Sequence, residues 1–280
     1  MQHSGQEVAF IQGVSGLRLQ TLRCLAAGAS PLARVIFIHG FLEHSGRYEE
    51  FFRKLTGAGL EVVAFDLRGH GRSEGPRAWF RSMDELLGDL SKVVSWASGG
   101  KPEQKPFLIG HSLGGLITAL WSIENAPSCR GVILLAPAVV VGAIPEWIRR
   151  LAPIVASILP WARIVRMGAK ALSRDPRVVD DFMKDPLVYH GRIPTRSGYI
   201  ILHSAARLRQ LLGRVTVPFM VLHGSEDRIC IPTGSAELFA RASSVDKTFR
   251  LYPGLYHDLL HEPEAGMVAE DILRWIRFRL

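Results

Sequence analysis

Short unbroken apolar runs alternate with stretches whose apolar residues recur every three or four positions, and this rhythm governs most of the chain. Val35–Ile38, Glu61–Phe65, Pro106–Ile109 and Gly131–Leu135 read as strands buried on both faces. Between them, Tyr48–Ala58, Met83–Ala97 and Leu116–Asn125 carry helical spacing. Ahead of them, Glu7–Gln12 and Leu17–Leu25 read as a hairpin turning at Ser15-Gly16. Such alternation predicts an α/β fold: a mostly parallel central sheet flanked by helices.

The rhythm breaks after Pro137. From Val139 to Arg196 the chain carries scattered prolines, two short apolar-basic helical stretches (Ile144–Arg150 and Ile154–Arg166) and an acidic-basic loop over Asp175–Asp185. Regular alternation then returns with a helix over Ser197–Leu212, a strand at Pro218–Leu222 and a helix at Thr233–Ala242. A strand at Lys247–Leu251 and a helix over Glu264–Arg277 close the pattern. The reading is an α/β core in two parts, residues 1–137 and 197–280, with a cap inserted at 138–196 over the carboxyl edge of the sheet.

Composition changes this picture little. A chain of 280 residues, 48% hydrophobic and 21% charged, buries one large core. The three cysteines, Cys24, Cys129 and Cys230, are too few and too spread for a disulfide framework or a metal site, which points to a reducing, cytoplasmic setting. The segment Met1–Gln6 lacks the charged and apolar regions of a signal peptide, and Leu151–Ala162 is too short to span a bilayer. The net charge of +8 comes from scattered arginines with no basic run or zinc-finger spacing, which excludes a nucleic-acid partner. Attraction to an anionic membrane surface and a merely basic soluble protein remain as two readings of the charge.

The chemistry centres on Gly110-His111-Ser112-Leu113-Gly114, followed by Gly115. This is a G-x-S-x-G sequence between a predicted strand and a predicted helix, where a sharp turn pushes a serine hydroxyl out at the strand's carboxyl end. Ser112 is thus placed as a nucleophile and needs a base, an acid and an oxyanion site. His257, in the loop after the last predicted strand, and Asp227, directly after the strand ending at Leu222, stand in the Ser, Asp, His order this architecture uses. Asp66 also ends a strand, but its Asp-Leu-Arg-Gly-His-Gly setting reads as a hydrogen-bonded loop, so Asp227 is preferred. The oxyanion donors expected are the N–H groups of Leu113 and of Phe41, in the turn His39-Gly40-Phe41-Leu42.

The segments His39–Tyr48 (His-Gly-Phe-Leu-Glu-His-Ser-Gly-Arg-Tyr) and Asp66–Ser73, the serine motif, Asp227 and His257 together resemble the monoglyceride lipase family of the α/β-hydrolase fold. The likeness covers nearly the whole chain, including Asp185-Pro186-Leu187 late in the cap, and Glu43–Arg47 is more specific than the serine motif. It implies Ser112, Asp227 and His257 as a triad, with Phe41 and Leu113 as oxyanion donors. It also implies an acyl tunnel beneath a helical cap inserted after the sixth strand, a lipid ester substrate, and neither metal nor organic cofactor. Where the family often has small residues this chain has Phe41 and Leu42, which narrows the pocket beside the oxyanion site.

The remaining residues carry two readings each. Glu43 and Arg47 border the alcohol side of the substrate or form an ion pair capping the next helix. His261 makes a metal pair with His257 or packs and caps, the latter favoured for want of a third ligand. His39 and His111 read as hydrogen-bonding supports, His44 and His70 as loop residues, and Cys230 as a small buried hydrophobe close to the site. The cap stretch Ile144–Arg166, with Trp147 and Trp161, rests on a lipid interface or packs on the core. The functional expectation is hydrolysis of monoacylglycerols to fatty acid and glycerol through an acyl-enzyme on Ser112. Its alternatives are a lysophospholipase, a broad carboxylesterase and a low-turnover ligand receptor on the same fold.

Overall fold

The computed structural model describes residues 5–28, 30–101, 103–142 and 144–280. The first four residues, on which the signal-peptide reading partly rests, lie outside the described residues. In chain order the strands are β1 (Gln6–Gln12), β2 (Arg18–Cys24), β3 (Ala33–Ile38), β4 (Leu60–Phe65), β5 (Phe107–His111), β6 (Gly131–Leu135), β7 (Arg163–Val165), β8 (Ile193–Pro194), β9 (Phe219–Gly224) and β10 (Lys247–Tyr252). The helices are α1 (Glu49–Gly57), α2 (Met83–Ala97), α3 (Leu113–Glu124), α4 (Glu146–Ile158), α5 (Pro176–Lys184), α6 (Thr195–Leu211), α7 (Pro232–Arg241) and α8 (Ala265–Arg277).

Among the described residues, eight strands form one sheet in the order β1-β2-β4-β3-β5-β6-β9-β10. β1 with β2 and β2 with β4 pair antiparallel, and every later pairing is parallel. Side chains alternate across each strand, so β3 sends Ile36 and Ile38 to one core and Val35 and Phe37 to the other. The first core is closed by α2, α3, α6 and α7, the second by α1 and α8. Because both faces are covered, the central strands are mostly apolar, with Glu61 in β4, His111 in β5 and His223 in β9 as buried polar exceptions. All the parallel strands point their carboxyl ends to one edge, where the connecting loops gather.

Two expectations for the cap change. The predicted pair of helices is one helix, α4, which continues through Pro153. Pro160 then ends helical structure, and Arg163–Val165 instead pairs with Ile193–Pro194 as a small antiparallel ribbon. The predicted acidic-basic loop is α5: the Asp175 side chain accepts from the Arg177 amide and Pro176 occupies the first turn, so Asp-Pro here is a helix start. Farther back, the helix after the serine motif begins at Leu113 and not Leu116, because the apolar spacing does not register the two glycines of its first turn.

Several contacts tie the cap to the core. The Trp79 and Trp161 rings stack at 4.2 Å with 9° between planes. His44 Nε2 meets Asp185 Oδ2 at 2.8 Å, the Tyr189 amide donates to the Leu42 carbonyl at 2.8 Å, and the Asp258 amide donates to the Leu172 carbonyl at 2.8 Å. His44, read from the sequence as a loop residue, therefore also reaches the cap. No helix among the described residues is long and apolar enough to cross a membrane.

Candidate active site

At the end of β5 the chain turns through Ser112, which sits at φ 54° and ψ −113° before α3 begins. A non-glycine residue there costs about 1–3 kcal/mol and persists only where its surroundings impose it. Here the Ser112 amide donates to the Leu135 carbonyl at 2.9 Å, and its own carbonyl accepts from the amides of Leu116 at 3.0 Å and Ala138 at 3.1 Å. Gly110, Gly114 and Gly115 are not at positive φ themselves; their part is to leave space. A Cβ on Gly114 would lie 2.1 Å from the Ile38 carbonyl oxygen, and one on Gly110 would lie 2.4 Å from that of Gly114.

The loops after β9 and β10 bring an acid and a base together beneath this turn. His257 Nδ1 donates to Asp227 Oδ2 at 2.7 Å, while Asp227 Oδ1 accepts from the amides of Ile229 at 2.8 Å and Cys230 at 3.0 Å. A carboxylate can only accept, so Nδ1 carries a proton and Nε2 is left free to receive one. Burial opposes the charge of Asp227, but His257 and His223 outweigh it and hold the carboxyl well below the usual range. The Ser112 hydroxyl lies 4.0 Å from Cys230 Sγ and makes no hydrogen bond to His257. Burial, reinforced by the Asp227 charge, pushes the Cys230 thiol well up, which leaves it an uncharged neighbour of the nucleophile.

Neither the Phe41 nor the Leu113 amide donates a hydrogen bond among the described residues. The turn that carries Phe41 is pinned from below. Glu43 Oε1 accepts from the Gly40 amide at 2.6 Å and from the Tyr48 hydroxyl at 2.8 Å, and it meets His111 Nδ1 at 3.0 Å. Glu43 Oε2 accepts from Arg47 Nη1 at 2.5 Å, and Arg47 reaches on to Asp258 at 3.3 Å. Asp258 in turn meets His261 Nδ1 at 2.8 Å, and His261 Nε2 faces the Arg47 carbonyl at 2.8 Å. Both nitrogens of His261 are thus engaged within the protein, and no group of three or more ligating side chains among the described residues is placed to hold a metal. Arg47 also lies over the Phe182 ring at 4.8 Å.

A cavity of about 30 Å³ joins these parts, walled by Gly40, Phe41, Glu43, His111, Ser112 and His257 from the core and by Met167, Leu172 and Phe182 from the cap. A second cavity of about 110 Å³ adjoins it across Met167 and Phe182. Glu43 therefore borders the site while Arg47 stands behind it. The Phe41 ring packs on His70 at 5.5 Å and Phe80 at 6.1 Å. Asp66, the rival acid, ties its own loop, accepting from Ser45 through both N–H and hydroxyl and from the Arg72 amide. His39 accepts from the Leu67 amide at 2.9 Å, and His70 Nδ1 faces the Arg68 carbonyl at 2.9 Å.

One residue the sequence reading passed over is His223, fully buried with its Nε2 3.0 Å from Asp227 Oδ2. Its signal was present: a histidine inside the otherwise apolar run Phe219–Leu222 and Gly224 has to be satisfied by something buried.

The profile of the family described as serine aminopeptidase, S33, matches residues 29–264. The monoacylglycerol lipase of Mycolicibacterium smegmatis is 33% identical over 266 residues, covering 94% of this chain and 94% of that protein. The monoglyceride lipase of Homo sapiens is 35% identical over 256 residues, covering 89% of this chain and 84% of that protein. Among solved structures, the monoacylglycerol lipase of Paleococcus ferrophilus superposes with a TM-score of 0.85 at 30% identity, covering 94% of this chain and 99% of the other.

Proposed function

The chain belongs to the monoglyceride lipase family of α/β-hydrolases and is a carboxylic ester hydrolase, and on that premise we propose that it cleaves monoacylglycerols to fatty acid and glycerol through Ser112. The observation that carries the assignment of roles is the Asp227–His257 bond at 2.7 Å beside a serine held at φ 54°. Ser112 rotates from Cys230 toward His257 Nε2, gives up its proton there and attacks the ester carbonyl. Asp227 holds the imidazole with Nδ1 protonated and stabilises the charge it gains. The free amides of Phe41 and Leu113 receive the developing oxyanion. His257 then protonates the departing glycerol oxygen and draws a proton from the water that releases the fatty acid. Residues 138–196 act as the cap over this site, with Glu43 at the border of the alcohol side and Arg47 supporting it through their ion pair.

Membrane contact through the cap is part of the proposal. Trp147, Leu151, Ile154 and Ile158 repeat at helical spacing along α4, and all four are largely exposed. Arg149, Arg163 and Arg166 are exposed on the same cap, so an anionic lipid surface meets both apolar area and positive charge. The three buried cysteines, none in a disulfide, support a cytoplasmic location, which cell fractionation checks.

Ser112→Ala should abolish release of fatty acid from a monoacylglycerol, and turnover retained in that variant overturns the mechanism. A panel of mono-, di- and triacylglycerols, lysophospholipids and short p-nitrophenyl esters tests the substrate. Preference for lysophospholipids or for short esters replaces the substrate reading with a lysophospholipase or general esterase. Stoichiometric fluorophosphonate labelling without turnover of any ester replaces it with a ligand receptor.

A further inference from the structure

The Asp227 carboxylate is held by more than its partnership with His257. Two backbone amides fix Oδ1, while two imidazoles share Oδ2: His257 Nδ1 at 2.7 Å and His223 Nε2 at 3.0 Å. His223 Nε2 also lies 2.9 Å from the Cys230 carbonyl oxygen. Both atoms facing Nε2 are acceptors only, so Nε2 carries the proton. On the other side of the ring, Nδ1 meets the Ser235 hydroxyl of α7 at 2.7 Å. His223 and Ser235 are fully buried, so each bond is made in a setting where losing it leaves a polar atom unsatisfied. The titratable and polar groups facing this ring are Asp227 and Cys230 from the loop after β9, Ser235 from α7, and His257 across the shared carboxylate from the loop after β10.

From this geometry we propose that His223 is a positioning residue for catalysis, fixing the oxygen of Asp227 on which His257 depends. The proposal rests on the reading of Asp227 and His257 as the acid and base. The imidazole of His223 is wedged between α7 and the loop after β9 and cannot follow a rotating carboxylate. It therefore sets where Oδ2 lies, and Oδ2 sets the tilt of the His257 ring whose Nε2 must meet Ser112. It also takes part of the negative charge of Oδ2, so His257 faces an oxygen already engaged in a second bond. Without the second donor, the two amides still hold Oδ1 but only His257 holds Oδ2, so the carboxylate can tilt about its fixed oxygen. Displacements on the order of an ångström at a reacting group cost about a hundredfold in rate.

The test compares His223→Leu with His223→Gln, using p-nitrophenyl butyrate as the probe ester. Leucine fills the space and removes the donor, whereas the glutamine amide can donate to Oδ2 again. His223→Leu should lower kcat by about ten- to a hundredfold with KM held within about twofold, and His223→Gln should restore most of the loss. The hydrogen-bonded proton on His257 Nδ1, read at low field by proton NMR, should shift or broaden in the leucine variant and return with glutamine. Ser235→Ala, which leaves Nδ1 without its tether, should give a smaller kcat loss of the same kind and serves if the leucine variant does not fold. Wild-type kcat in His223→Leu overturns the proposal. So does an equal loss in both His223 variants, or a loss that tracks thermal stability with the His257 proton unmoved. Asp227→Asn separates the two readings: full activity there shows that the triad assignment has failed, not the role of His223.

Discussion

Glu43 stays charged although it is 3% exposed. Burial works against that charge, but the hydrogen bond and charge of His111 and the charge of Arg47 hold its carboxyl well below the usual carboxylate range. His111 shows the reciprocal effect: burial lowers its basicity, and Glu43 more than restores it, leaving the ring raised above an ordinary histidine. The two shifts have opposite consequences for stability. A depressed carboxylate contributes fully above its unfolded value, about 4.3, and loses that contribution as pH falls through the native value. A raised histidine contributes fully below its unfolded value, about 6.5, and loses that contribution as pH rises through the native one. The pair therefore stabilises most between about pH 4.5 and 6.5. Glu43→Leu should cost about 3–5 kcal/mol in that window, since it takes the acceptor from the Gly40 amide and leaves Arg47 only its longer contact to Asp258. The gap to wild type should narrow at acid pH below it, which urea unfolding at stepped pH measures; a constant gap refutes the charged role. Leucine at 43 should also lower kcat, because the turn bearing the Phe41 amide loses its anchor.

Among the elements, the turn from β5 into α3 is the most tightly specified. Its strain sits on Ser112, and its glycines are demanded by backbone packed against backbone. Gly114→Ala should cost about 3 kcal/mol or more, because neither the Ile38 nor the His39 carbonyl can retreat without moving β3. A denaturant midpoint close to wild type would contradict this packing. The serine motif was legible because its spacing and its strand-helix setting are local properties. Asp227 and His257 were legible because strand ends in this architecture face one edge. From the sequence α5 reads as a loop although Asp175-Pro176 marks its start, and α4 reads as two stretches on either side of Pro153. A proline eight positions into a helix is tolerated here where α4 packs along α6, a contact no local pattern contains.

For the molecule as a whole, the cavity at Ser112, about 30 Å³, has room for a few waters at most, far less than an acyl chain requires. For the proposed acyl substrate to enter, Met167 and Phe182, which stand between this cavity and its larger neighbour, have to move aside. The proposed membrane contact runs through the exposed face of α4. Replacing Trp147 and Ile158 by serine should reduce co-flotation with phosphatidylglycerol vesicles severalfold while short soluble esters are still hydrolysed. Flotation equal to wild type would refute the contact.

The sequence by itself determined the α/β layering, the candidate nucleophile, acid and base, and their order along the chain. Each of these follows from periodicity or from residue types fixed to strand ends, and such signals survive without knowledge of neighbours. Only the tertiary structure decided that Glu43 and Arg47 are tied into a buried network with His111 and Asp258, that His44 reaches the cap, and that His223 shares an oxygen with His257. Those partners lie 4 to 211 positions apart. Which of many buried polar groups meet depends on how the loops of separate strands converge, and that convergence is a property of packing alone.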